Sequence, residues 1–144
     1  MKYRETTNYK YQTVEDYSIP VKIFPKIDIH EPNPENPFLK LSRNGVLTIF
    51  KGYSWDGPSG PTLDTKNFMR GSLVHDALYQ LIRQNKISLE YREYADELLK
   101  KLCLEDGMSS FRAEYVFRSV RYFGESSAKP SDKTEQQEKI LEAP

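Results

Sequence analysis

Hydrophobic residues follow two different periods along this chain, and the change falls near residue 66. Before it, short runs of β-formers are interrupted by prolines such as Pro20, Pro25 and Pro32. After it, apolar residues recur every three to four positions, which indicates amphipathic helices. The sequence therefore predicts an α+β fold, in which a β-rich N-terminal part is followed by three helices.

Residues 1–54 are predicted to form the β-rich part, and a hairpin is its clearest element. Two runs of β-formers, FLKLS and VLTIF, flank the turn residues Arg43–Gly45. Asn-Gly between such runs favours a type I′ turn, because both residues tolerate positive φ. The next segment, 55–66, contains two glycines and two prolines, so we expect a loop there.

Three helices are predicted within residues 67–124. The first helix has one stripe of inward positions, which are Phe68, Ser72, His75, Tyr79 and Ile82. The second helix is predicted to begin with Ser88 as its N-cap and to stop at Gly107. The third is predicted to begin at Ser109 or Ser110. Because only short turns join the first two helices, we expect them to pack antiparallel.

Residues 1–124 are predicted to form a single domain, with a polar C-terminal tail at 125–144. The tail sequence is of low complexity, and it is expected to be disordered or a loosely formed last helix. The aromatic residues of the third helix recur at helical spacing and are predicted to lie in the core. They are Phe111, Tyr115, Phe117 and Tyr122.

Composition narrows the class of protein further. A chain of 144 residues is long enough for one core, and its formal net charge of zero gives no reason to expect nucleic acid as a partner. The single cysteine, Cys103, excludes an internal disulfide. The N-terminus lacks the apolar stretch of a signal peptide, and no segment approaches the roughly 20 apolar residues of a transmembrane helix.

A histidine and three aspartates stand where they could form a site. His75 and Asp76 lie in the middle of the first helix, Asp96 lies in the middle of the second, and Asp56 lies in the Gly/Pro loop. His75 and Asp96 are each about ten residues from the turn between the helices, so an antiparallel pair brings them to the same level. Asp96 would then hold one nitrogen of His75 and leave the other as a general base.

Asp76 is rotated by about 100° from His75 around the helix, so it faces a different direction. That direction is expected to be the preceding loop. The carboxylates of Asp76 and Asp56, with loop carbonyls between them, would make a site for a hard cation.

Structural interpretations of the same residues stay open. His75 and Asp76 would then be a buried polar pair that fixes helix packing. Asp56 would be the residue that starts an Asx turn. Asp96 would be an exposed helix acid or the partner of Arg92, one turn earlier.

Four residues are expected to support a site rather than react in it, namely Tyr79, Ser59, Trp55 and Arg92. Tyr79 would place its ring in the core and donate its hydroxyl to a carboxylate. Ser59 lacks the G-x-S-x-G context of a serine nucleophile, so it is expected to cap the loop. Trp55 would either meet a lipid interface or fill the core.

Four segments carry motifs that occur together in one family: WDGPSGP, GSLVHDALYQL, YREYADELLKKL and EYVFRSVRYFG. As a set they resemble the phage-associated domain of unknown function 1353. The matching positions are Asp56, Ser59, Pro61, His75, Asp76, Leu78, Tyr79, Arg92, Ala95, Asp96, Arg121, Phe123 and Gly124. The resemblance covers about residues 50–124 and implies a phage or prophage setting, in the host cytoplasm or in a virion, with no settled activity.

The order of these motifs is also similar, more distantly, to that of the secreted and bacterial phospholipases A2. Those enzymes have an Asp-Gly calcium loop, a helix with HDxxY and an antiparallel helix with an aspartate. The similarity implies that His75 activates water and that Asp96 orients it. It also implies that Ca²⁺ is held by Asp56, Asp76 and a loop carbonyl such as that of Gly57. The chain departs from those enzymes because it cannot form the disulfides that brace their site.

Two functions from different classes are open at this point. The first is a calcium-dependent lipid ester hydrolase of a phage, which acts on phospholipid at a membrane surface. The second is a non-enzymatic tail, baseplate or host-interaction component that contacts other phage structural proteins, which the ten tyrosines and the polar tail favour. The same His/Asp set with another metal could also serve hydrolysis of a cell-wall or nucleotide substrate.

Overall fold

A computed structural model describes residues 1–6, 11–30, 38–56 and 66–129. Over these ranges, short strands precede helices, which confirms the predicted α+β class. The strands are β1 (Tyr3–Glu5), β2 (Tyr11–Thr13), β3 (Tyr17–Pro20), β4 (Ile29–His30), β5 (Leu39–Leu41), β6 (Val46–Ile49) and β7 (Ser54–Trp55). The helices are α1 (Lys66–Arg83), α2 (Arg92–Glu105), α3 (Ser110–Phe123) and α4 (Glu125–Ala128), and a 3₁₀ turn at Leu89–Tyr91 precedes α2.

The strands form two small antiparallel sheets. One has the order β1-β2-β7 and the other the order β3-β6-β5-β4. In the second sheet Leu39 and Leu41 of β5 pair with Ile49 and Leu47 of β6, and all four side chains are fully buried. This alternation of inward and outward residues gives the sheet one apolar face, which packs in the main core.

The predicted hairpin is present, but its turn differs from the prediction. Within the loop between β5 and β6, positive φ occurs at Gly45 alone, at 77°. The Gly45 N–H donates to the Ser42 carbonyl over 2.9 Å. The predicted type I′ turn is therefore wrong, because Asn44 does not adopt the left-handed conformation that this turn requires. A longer loop that ends in one left-handed glycine joins the strands instead.

Helix α1 is the central element of the fold. The residues of its predicted inward stripe are buried, namely Phe68, Ser72, His75, Tyr79 and Ile82. On other faces Leu73, Ala77 and Leu81 are also buried and join the core formed with the sheets. Packing on several sides holds α1 firmly, so the polar side chains that it carries are held in defined positions.

Left-handed residues end α1 and α2 in the same way. Asn85 has φ of 58°, its N–H donates to the Ile82 carbonyl, and the Lys86 N–H donates to the Leu81 carbonyl. These two bonds define a Schellman motif. Gly107, with φ of 98°, closes α2 with the equivalent pair of bonds. The short turn after α1 reverses the chain, so α1 and α2 pack antiparallel as predicted.

Serine caps precede the second and third helical segments. Ser88 accepts a hydrogen bond from the Glu90 N–H and opens the 3₁₀ turn, after which α2 begins at Arg92. Ser109 accepts from the Arg112 N–H and is the N-cap of α3. Both serines satisfy backbone donors that a helix start leaves without partners.

The aromatic residues of α3 do not form the core, and that prediction is wrong. Phe111, Tyr115 and Tyr122 are 86%, 61% and 80% exposed, and Phe117 is half-buried. The helix packs through Ala113 and Val116 instead. Aromatic residues and smaller residues such as Ala113 and Val116 both recur at helical spacing along α3. The face with the smaller residues is the one that packs on α2.

The predicted C-terminal tail begins with a short ordered helix. Ala128 of α4 is fully buried in the main core, and Arg83 Nη1 donates to the Ser127 carbonyl over 2.9 Å. Residues 130–144 lie outside the described ranges. Over residues 1–6, 11–30, 38–56 and 66–129, the helices lack the combination of length and apolar character needed to cross a membrane.

Gly71 sets the spacing between α1 and α2. A Cβ atom there would lie 3.0 Å from Leu99 Cδ1 and 3.2 Å from the Leu99 carbonyl. We expect Gly71→Val to lower the free energy of unfolding by about 1–3 kcal/mol, because extra methyl groups force the helices apart. Urea unfolding measures the change. Glu97→Val, at an exposed position of α2, is the control for the helix propensity of valine, and an equal loss in both variants would contradict this account.

Candidate active site

Asp96 lies at the centre of the helical half of the protein. Its side chain is fully buried, and it accepts hydrogen bonds from residues of two other helices. Oδ1 contacts His75 Nε2 at 2.7 Å and the Tyr79 hydroxyl at 2.6 Å, both from α1. Oδ2 accepts from Arg121 Nη1 of α3 at 2.9 Å. The predicted pairing of Asp96 with His75 across antiparallel helices is therefore present.

These partners keep Asp96 ionised. Burial alone would raise the pKa of this carboxyl, but the bonds from His75 and Tyr79 outweigh burial, and Arg121 adds to them, so its pKa is lowered. An ionised carboxylate can only accept hydrogen bonds. It follows that His75 Nε2 carries the proton that points at Asp96.

The other ring nitrogen of His75 is then the basic one. In the neutral imidazole only Nδ1 has a free lone pair once Nε2 carries the proton. Nδ1 lies 3.8 Å from Asp76 Oδ1, which is too far for a direct hydrogen bond. Burial opposes a charge on this imidazole, but Asp76 and Asp96 outweigh burial, and the pKa of His75 is raised above its usual 6.5.

A cleft of about 910 Å³ opens beside His75, within the size range of small-molecule sites. The sequence-predicted residues His75, Asp76 and Tyr79 line it, together with Asp56 and Trp55 from the end of β7. The structure therefore brings His75, Asp76 and Asp56 to one cleft. Gly57 and Ser59 lie outside the described residues.

Two aspartates of the cleft, Asp56 and Asp76, are accessible to solvent. Asp76 has a side chain that is 37% exposed, and Asp56 is exposed, so both carboxylates are accessible to a ligand from solvent. Within the described ranges, clusters of three or more His, Cys, Asp or Glu side chains that could hold a metal are absent. A cation here would rely on these two carboxylates, backbone carbonyls and water, which is a donor set of oxygens that Ca²⁺ accepts.

Arg92 does not play the part of an ion-pair partner of Asp96. Its Nε donates to the Tyr79 hydroxyl at 3.2 Å. Its Nη2 donates to the carbonyls of Val120 and Arg121 at 2.9 and 2.7 Å. Arg92 therefore fastens the end of α3 to the site and supports Tyr79, whose hydroxyl in turn donates to Asp96.

Trp55 belongs to the core rather than to an exposed interface. It is buried, its Nε1 donates to Ser72 Oγ at 3.1 Å, and its ring packs edge-on against Tyr3. Of the two interpretations that the sequence left open, the structure shows the one in which Trp55 fills the core. It thereby forms part of the cleft wall next to Asp56.

Arg121 is the site residue whose contact the sequence reasoning missed. It matches the motif at the end of the third helix, but the motif does not indicate its partner. The signal that could have indicated this contact is electrostatic, because a buried aspartate needs a compensating cation. Arg121 is an arginine near the end of α3, the helix that follows α2 in the chain and packs on it.

Comparison of the chain with protein family models, with curated proteins and with solved structures yields no match in any of the three. The resemblances to the phage-associated family and to the phospholipases A2 therefore stay predictions that rest on motifs. Function has to be argued from the geometry of the site itself.

We expect Asp96→Asn to lower the free energy of unfolding by about 2–3 kcal/mol near pH 6, because His75 and Arg121 lose a buried anionic partner. The folded pKa of Asp96 is lowered, so its contribution is present above its unfolded value near 3.8 and is lost as pH falls through the folded pKa. The difference between wild type and variant should thus shrink as pH falls below about 4.

Chemical unfolding at a series of pH values from about 6 to 3 measures this difference. Glu97→Gln, at an exposed position one residue along α2, is the matched control and should show almost none. A difference that keeps its full size at the acid end of the series would show that the charge of Asp96 is not what stabilises the fold.

Proposed function

We propose that this protein is a hydrolase of lipid esters, in which His75 is the general base and Asp96 orients it. The observation that carries the proposal is the bond of 2.7 Å between His75 Nε2 and the buried Asp96 carboxylate. That bond leaves Nδ1 as the basic nitrogen of a histidine that lines the cleft. A base held by a second group and facing a substrate-sized cleft is the usual arrangement for activating water.

His75 would move one proton twice during the reaction. Nδ1 accepts a proton from a water molecule in the cleft as the water oxygen bonds to the ester carbonyl carbon. The protonated ring then gives that proton to the departing alkoxide as the ester C–O bond breaks. The products are a carboxylic acid and an alcohol. Asp96 stabilises the imidazolium between the two transfers and keeps Nε2 protonated throughout.

Asp76 and Asp56 would hold Ca²⁺ in the same cleft, with carbonyl groups of the backbone as further ligands. Bound calcium would supply Lewis-acid polarisation of the ester carbonyl and stabilise its oxyanion. What supports this assignment is the position of the two carboxylates, which line the same cleft as His75 and retain solvent exposure. The phage setting stays a prediction from the motifs.

One observation favours a second candidate function, that of a non-enzymatic attachment component. The exposed face of α3 carries Phe111, Tyr115 and Tyr122 at positions i, i+4 and i+11, which lie on one stripe that borders the cleft at Tyr115. Exposed aromatic residues in a group are typical of surfaces that meet another molecule. Such a component would need neither a basic Nδ1 nor a cation, so the two experiments below separate the candidates.

We expect the full-length protein to release fatty acid from phospholipid vesicles in the presence of Ca²⁺ and not in the presence of a chelator. His75→Gln should lower the rate by about a hundredfold to ten-thousandfold, which is the usual contribution of a general base. His30→Gln is the matched control, because His30 is exposed on β4. Wild-type protein without release, with or without calcium, would rule out the hydrolase and favour the attachment component.

Calcium should raise the melting temperature of the wild-type protein, because a ligand that binds only the folded state stabilises it. Ca²⁺ at about 100 times Kd adds about 2.7 kcal/mol to the free energy of unfolding. We expect Asp76→Asn to abolish most of this rise, whereas Glu93→Gln, at an exposed position of α2, should preserve it. Thermal melts over a calcium titration measure both, and an unchanged rise in Asp76→Asn would remove Asp76 from the cation site.

A further inference from the structure

The cleft beside His75 changes character along the axis of α1. Near the N-terminal end of the helix its wall includes Phe68, Leu99 and Val116, which belong to one buried hydrophobic cluster. Near its C-terminal end the wall contains the polar side chains of Gln80 and Arg83 beside the aromatic rings of Phe38, Tyr53 and Phe123. His75 lies between the two ends. The cleft thus offers an apolar cluster on one side of His75 and an arginine on the other, which suits a ligand with an acyl chain and an anionic group.

Arg83 is the cation of this cleft. Among the lining residues that the structure describes, Arg83 is the one lysine or arginine. Its side chain is exposed, and one of its nitrogens, Nη1, donates to the Ser127 carbonyl at 2.9 Å. That bond uses one donor of the planar group and holds the guanidinium at the cleft wall. A guanidinium has five N–H donors in a fork that suits oxyanions.

The spacing between Arg83 and the reacting groups is set by α1. Arg83 follows Asp76 by seven residues, which is close to two helical turns, so both lie on the same face about 10 Å apart along the axis. An ester carbonyl near Asp76 and an oxyanion near Arg83 could thus belong to one small molecule. Its acyl chain would extend the other way, toward Phe68 and Leu99.

We propose that Arg83 is a specificity-determining residue that binds a phosphate-type oxyanion carried by the ester substrate. The proposal rests on the proposed function for the identity of the reacting group, but binding of the oxyanion can be tested without any reaction. The shared chemistry is that of a phosphate, which could come from a lipid headgroup or from free phosphate, and the probes below distinguish these sources.

Binding is measured on the full-length protein with a chelator present, so that calcium does not precipitate phosphate. The probes are decyl phosphate, inorganic phosphate and decyl maltoside, all below their micellar concentrations. Trp55, the single tryptophan of the chain and part of the cleft wall, reports occupancy by its fluorescence. The variants are Arg83→Gln and Arg83→Lys, with Lys86→Gln as the matched control because Lys86 is exposed and lies outside the cleft lining.

We expect wild type and Lys86→Gln to bind decyl phosphate about tenfold or more tightly than Arg83→Gln, as for the loss of a charge-assisted hydrogen bond. Arg83→Lys should recover part of the affinity, and decyl maltoside should not distinguish the variants. If inorganic phosphate binds as tightly as decyl phosphate, the ligand of Arg83 is free phosphate, and the assignment to a lipid headgroup is overturned. Equal affinity of wild type and Arg83→Gln for decyl phosphate, or no binding of it at all, would overturn the proposal.

Hydrolysis gives an independent measurement. Arg83→Gln should raise KM about tenfold for an ester with an anionic phosphate headgroup and leave unchanged the kinetics on a neutral ester with the same acyl chains. Equal losses on both esters would mean that Arg83 acts only by holding α4 through Ser127, which overturns the proposal. If wild type hydrolyses neither ester while binding of decyl phosphate depends on Arg83, the proposed function fails and the oxyanion site stands.

Discussion

The helical half of this protein depends on one buried carboxylate, that of Asp96. Burial of an anion is costly unless charged or hydrogen-bonded partners surround it. Here the partners come from both neighbouring helices: His75 and Tyr79 from α1 and Arg121 from α3. These contacts tie α1, α2 and α3 together, and the bond to His75 also fixes the orientation of the imidazole.

A second constraint follows from the position of α1 between the sheets and the other helices. One side of α1 is used for the main core, and a neighbouring side carries His75, Asp76 and Arg83 to the edge of a cleft. Because these residues share a rigid helix, their spacing is set by its pitch rather than by loops. A site that is built on a packed helix keeps its geometry better than one built on flexible segments.

Much of this arrangement could be predicted from local patterns. The period of the apolar residues predicts the stripe of α1, and the turn at Asn85 and the end of α2 at Gly107 follow from residues that tolerate positive φ. Equal distances from one short turn predicted that Asp96 meets His75, and the atoms lie 2.7 Å apart. These inferences held because each depends on residues that are close in sequence or related by a single reversal of the chain.

The sequence by itself determined the α+β order of elements, the antiparallel helix pair and the level at which His75 and Asp96 meet. Only the tertiary structure decided which face of α3 is buried, because aromatic and small residues repeat with one helical period and Ala113 and Val116 fit the approach to α2. It also decided that Arg121 reaches Asp96 and that Arg83 borders the cleft. Those contacts join segments far apart in the chain, and no local period encodes the distance between them.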